Sequence, residues 1–82
     1  MIANIQYWIK ESELIGNDLE TFNHAVEVED YNLMRVIIDG VIDDIKQDID
    51  DNLLANDLEV VASILPRYRT LLQLEELILE QL

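Results

Sequence analysis

Cysteine is absent from this chain, and histidine (1), proline (1) and glycine (2) are nearly so. Without cysteine there is neither a disulfide framework nor a thiolate metal site, and the chain is compatible with a reducing compartment. A single histidine removes most zinc chemistry as well. So little glycine and proline leaves almost no loop vocabulary, and apolar/polar alternation is never sustained, so the default expectation is helix. Long apolar runs are missing too. The opening stretch MIANIQYWIKESEL has neither a basic leader region nor a continuous hydrophobic segment, so the expectation is a soluble, cytoplasmic protein without a membrane contact.

Positive charge is also scarce: 5 Lys and Arg face 18 Asp and Glu across 82 residues, for a net charge of −13. Such a chain repels nucleic acid and anionic lipid, which excludes direct nucleic-acid binding and points to a basic partner. The imbalance is local. Residues 11 to 30 and residues 39 to 59 each sum to −7, whereas the remaining segments are close to neutral.

What is present is apolar surface. Half the residues are hydrophobic, enough for one small domain over residues 1–82 with a core of its own. The expected fold is all-α, a compact bundle of about four helices near 2–15, 18–27, 31–49 and 57–82. In the first, Ile2, Ile5, Trp8, Ile9 and Ile15 share a side, with Gly16 as the closing residue. The second places Leu19, Phe22, Ala25 and Val26 together. In the third, Met34, Ile38, Val41, Ile42, Ile45 and Ile49 fall within an arc of about 100°, while Leu33, Val36 and Ile37 widen its first half. The fourth carries Leu58, Val61, Leu65, Tyr68, Leu72 and Leu79 on one side, flanked by Ile64, Leu71, Ile78 and Leu82. Pro66 interrupts it and predicts a kink or a break, because proline inside a helix removes a backbone bond at a cost of about 3 kcal/mol.

The tetrapeptide NDLE occurs twice, at Asn17–Glu20 and Asn56–Glu59. Asn is a favoured helix cap, and a Glu three positions on can reach back to the cap amide, so both copies are expected to open helices. Through Phe22, Ala25, Asp30 and Tyr31, the short second helix, the turn and the long third helix resemble one tetratricopeptide-like hairpin. That resemblance covers under half the chain, and the array of repeats such folds require is absent.

Two acidic stretches invite a chemical reading. Residues 48–59, DIDDNLLANDLE, put Asp48, Asp50, Asn52, Asn56 and Glu59 at the first, third, fifth, ninth and twelfth positions of a calcium-binding helix–loop–helix loop. Leu53 stands at its sixth position, where the sharp turn needs glycine, and no second loop pairs with it. An acidic linker is the plainer alternative. The other stretch is the polar side of the third helix. Asp39, Asp43 and Asp50 project within about 40° of one another, and Asp44, Asp48 and Asp51 form a second row, all off the apolar arc. From Asp39 to Asp51 is about 18 Å at ~1.5 Å per residue. Six charges over that length approach the ~3.4 Å charge spacing of one DNA strand. A solvated helix face would explain acids, yet solubility alone normally intersperses both signs, and only Lys46 interrupts these rows. Aspartate is also a poorer helix former than glutamate.

The remaining candidates are smaller. Arg67 and Arg69 gather in PRYR and are expected to pair internally or to meet a partner. His24 projects away from Leu19, Phe22 and Val26 and reads as a surface residue. The C-terminal run LLQLEELILEQL holds more apolar residues than one stripe needs, so Leu74, Leu77, Ile78 and Leu82 form a candidate self-association surface.

No phosphate loop, nucleophile elbow or metal cluster suggests catalysis or a cofactor. The expected function is therefore a non-enzymatic protein-binding module, an acidic inhibitor of the kind found among immunity proteins, antitoxins and anti-defence proteins. It would mask a basic, nucleic-acid-binding surface of a partner through Asp39, Asp43, Asp44, Asp48, Asp50 and Asp51, with Tyr31 or Tyr7 as an aromatic anchor. The alternative is a structural module that forms a homo-oligomer through its C-terminal leucines.

Overall fold

Two junctions of identical design set the frame. At Glu29-Asp30 and again at Asn56-Asp57, a residue with positive φ (54° and 58°) is followed by an aspartate. The left-handed residue ends one helix in a six-to-one, five-to-two hydrogen-bond pattern. Asp30 N–H donates to the Ala25 carbonyl at 2.9 Å and Glu29 N–H to Val26 at 3.2 Å, while Asp57 N–H donates to Asn52 at 2.8 Å and Asn56 N–H to Leu53 at 3.0 Å. The aspartate then caps the next helix. Asp30 Oδ1 accepts from the Leu33 amide at 3.1 Å and Asp57 Oδ1 from the Val60 amide at 3.4 Å. Each pair of residues thus satisfies two carbonyls at the end of one helix and an amide at the start of the next, and turns the chain within a few residues.

The computed structural model describes residues 1–82 and holds four helices, α1 (Ile5–Glu11), α2 (Gly16–Glu27), α3 (Tyr31–Leu54) and α4 (Leu58–Leu79). The fold is all-α, as the composition predicts. The three-residue turn Ala55 to Asp57 folds α4 back along α3, and this hairpin is the spine of the molecule. A 24-residue α3 is about 36 Å long, which accounts for most of the 42 Å long axis. On this spine α2 packs against α3 and α1 against α4. One cluster of 13 buried side chains joins all four helices, with Phe22, Ile38, Leu71, Leu74 and Ile78 fully enclosed.

Several boundaries differ from the periodicity-based expectation, each for a local reason. α1 stops at Glu11 rather than at residue 15, because Arg67 on α4 captures its end: Nε donates to the Ser12 carbonyl at 2.9 Å and a terminal nitrogen to the Glu13 carbonyl at 3.4 Å. Glu13 takes the left-handed conformation (φ 54°) assigned above to Gly16, Leu14 turns into the core, and Ile15 is left 77% exposed. Gly16, with φ 57°, opens α2 instead of closing α1.

The first NDLE is accordingly not a cap, since α2 begins before it and extended Ile15 occupies the cap position without a side-chain bond. The second is shifted by one residue, Asn56 ending α3 and Asp57 capping α4. α3 runs five residues past Ile49, with Gln47 Nε2 donating to Asp51 Oδ1 at 2.9 Å and Asn52 Nδ2 to the Asp48 carbonyl at 2.7 Å. Finally, α4 is one helix through Pro66 and ends at Leu79, which removes the broken-helix alternative.

Candidate functional site

The arc predicted for α3 is the buried one. Met34, Ile38, Val41, Ile42 and Ile45 are buried and Ile49 is partly so, which turns the aspartate rows away from the core. Asp43, Asp44, Asp48, Asp50 and Asp51 are exposed, and Asp39 is half-covered. Cations scarcely reach them. The sole ion pair in the protein joins Arg35 Nε to Asp39 Oδ2 at 3.8 Å, both side chains being nearly half exposed. Such a pair contributes little against its solvation. Lys46 makes no ion pair, and Arg67 is engaged with backbone carbonyls rather than with the aspartates. Val36, expected to widen the apolar side, instead lies 65% exposed.

Tyr31, the proposed aromatic anchor, sits at the first position of α3, partly buried against the core. It lines an apolar cleft of about 260 Å³ with Ile2, Ile5, Val26, Val28 and Met34, and Glu27 and Glu29 complete the wall. Position-by-position reading of the chain misses this cleft, because its walls come from the N-terminal segment and from the α2–α3 junction. The signal available in the sequence is the apolar Met1, Ile2 and Ile5 at the chain start together with Val26 and Val28 beside the α2–α3 junction. Tyr7, the other proposed anchor, is 57% exposed and meets Trp8 edge to face at 5.4 Å. His24 is exposed, as expected.

The calcium loop is not formed. Residues 48–54 are the last turns of α3, so Asp48, Asp50 and Asn52 point around a helix rather than into a common centre, and Asn52 is bonded to the Asp48 carbonyl. Asn56 and Glu59 lie on the turn and on the first turn of α4. No three acidic or histidine side chains in the protein converge with metal-ligand geometry.

On α4 the expected assignment of faces is reversed in part. Leu74 and Ile78, proposed for self-association, are fully buried, Leu77 is partly buried, and only Leu82 is open, at 55%. The leucines expected inside are instead exposed: Leu58 59%, Leu65 47%, Leu72 37% and Leu79 46%. The helix is covered from two sides, by α3 and by α1, and this centres its core face on Leu71, Leu74 and Ile78. Beside that face, Lys10, Glu11, Glu13, Ser63, Pro66, Arg67 and Thr70 line a second, polar cleft of about 390 Å³.

Against known proteins, the chain matches no family model, no curated protein and no solved structure. No helix is long and apolar enough to cross a membrane.

Proposed function

We propose that this protein is a binding module that docks a basic surface of another protein along the outer side of α3, masking that surface from nucleic acid. The observation that supports this reading is the unneutralised state of the rows. Six aspartates lie along about 18 Å of helix, and one ion pair, Arg35 to Asp39, is all that offsets them. Like charges three and four residues apart destabilise the free helix, and a cationic partner relieves that repulsion. Long-range attraction then raises the association rate, and a desolvated contact slows departure. The cleft at Tyr31 is apolar and acidic-walled, but it lies on the core side of the first turn of α3, so only a partner segment that wraps past the end of the rows would reach it.

The test is capture of partners from the native or host lysate on the purified protein, eluted with rising salt, alongside the variant Asp44→Asn/Asp48→Asn/Asp51→Asn. A basic nucleic-acid-binding protein released at moderate salt from the wild type, and retained less by the variant, is the expected result. Equal retention by both proteins would remove α3 as the docking face.

A further inference from the structure

The exposed leucines of α4 are not scattered. Leu58, Leu65, Leu72 and Leu79 stand seven residues apart, and all four remain between 37% and 59% exposed while the core face of the same helix is filled by other residues. A seven-residue repeat on a straight helix drifts only about 20° per heptad, so the four form one stripe about 32 Å long. α4 runs as one helix through Pro66, so both halves of the stripe belong to the same helix.

We infer that this stripe is a contact between two copies of this chain. Three properties select a second copy as the occupant. The first is self-complementarity. An isologous contact needs a patch that is its own complement, and equal spacing provides one: about an axis between Tyr68 and Arg69, an antiparallel copy sets Leu58 against Leu79 and Leu65 against Leu72. The second is charge. Two chains of net charge −13 repel, and of the two long helices α4 is the one on which the signs nearly balance, with Glu59, Glu75 and Glu76 against Arg67 and Arg69. Exposed Arg69 and Glu76, each one turn beyond a stripe leucine, put opposite signs along its outer edge. The third is size. The molecule measures 42 × 21 × 20 Å, so the whole of the long side along which the stripe runs spans at most roughly 800 Å², room for the share that one partner contributes to a standard stable interface. α3, the other long helix, would bring its aspartate rows together and cannot serve.

This inference is independent of the basic-partner reading, because it concerns another helix and opposite salt behaviour. The test is sedimentation equilibrium of the full chain at about 0.05 M and about 0.5 M salt, where screening differs several-fold. A dimer that tightens with salt is expected, since screening removes repulsion and leaves apolar contact. Leu65→Gln/Leu72→Gln should weaken it at least about a hundredfold with unchanged helical circular dichroism, whereas Val36→Gln on α3 should not.

Because the chain has no cysteine, disulfide trapping gives a second readout that tolerates failure of the double variant. An antiparallel dimer links a Leu65→Cys chain to a Leu72→Cys chain, and a parallel one links each to itself. A chain that stays monomeric in both salts, a dimer dissolved by salt, a dimer indifferent to the leucine substitutions, or trapping no better than with Val36→Cys would each overturn the inference.

Discussion

α3 and α4 form one hairpin and share one core, yet they present opposite chemistry to the outside. α3 turns aspartates outward and α4 turns leucines outward. The inner faces of both helices are ordinary: Ile38 and Leu71 are each fully buried and packed into the same cluster. Folding therefore constrains the faces that each helix packs against its neighbours, and the outer sides are free to differ. The shared core requires neither outer face as it stands. An exposed row of one sign destabilises its own helix, and an exposed apolar stripe is a liability unless something covers it.

The sharpest way to break this comparison uses two adjacent leucines. Leu71 is fully buried and Leu72 is 37% exposed. Leu71→Ala should cost about 2–5 kcal/mol, the usual range for a large-to-small change in an enclosed site. Leu72→Ala should cost about 1 kcal/mol or less in the monomer. Urea denaturation of dilute protein measures both. Equal costs would mean that α4 is rotated from the orientation described, and the leucine stripe would then belong to the core.

That rotation is also where sequence reading stopped short. On α3 the outward side is so acidic that the main apolar arc has a single solution: five of its six residues are buried and Ile49 is partly so, while Val36, assigned beside the arc, is exposed. α4 carries two apolar stripes, Val61-Tyr68 with the leucine heptad and Leu71-Leu74-Ile78, and a projection at constant angle prefers the longer leucine set. What decides between them is tertiary: α1 lies against α4 on one flank and α3 on the other, and no local pattern encodes that. The same limit explains α1. Its end is set by Arg67, which lies 55 residues away in the chain, so the stop falls before Gly16, which opens α2 instead. The second junction is legible to within one residue, since NDLE marks the start of α4 while Asp57 rather than Asn56 is the cap; at the first, Glu29 in a left-handed conformation is a choice that propensity argues against.

Arg67 sharpens the comparison at intermediate cost. On α3 a cation meets a carboxylate in solvent, whereas on α4 Arg67 donates to the Ser12 and Glu13 carbonyls in a partly buried setting. Hydrogen bonds from charged donors contribute about 1.5–3 kcal/mol, against about 0–1 kcal/mol for exposed ion pairs. Arg67→Met, which keeps most of the stem, should therefore destabilise the protein by about 1–3 kcal/mol. It should also speed amide exchange over α1 before the α3–α4 hairpin opens. Arg35→Met should be nearly silent in the same experiment. If the two variants lose equal stability, Arg67 is not what holds α1 to α4.

The smallest effect carries an unusual sign. Asp48 lies four residues after Asp44 and three before Asp51, so Asp48→Asn relieves two like-charge neighbours at about 0.2–0.5 kcal/mol each. Asp44→Asn/Asp48→Asn/Asp51→Asn should raise stability by up to about 1 kcal/mol at low salt, and the gain should shrink as salt screens the wild type. Gln47 keeps a partner in that variant, since an asparagine at 51 still offers an oxygen to its Nε2. Thermal melts at two salt concentrations read the difference directly. Substitutions that steady the fold while weakening capture of a basic partner would separate the two roles of the same side chains: the rows cost the free protein stability and are useful only in the complex. A triple variant no steadier than the wild type would show that solvent already neutralises the rows, and the outer side of α3 would then be solvation alone.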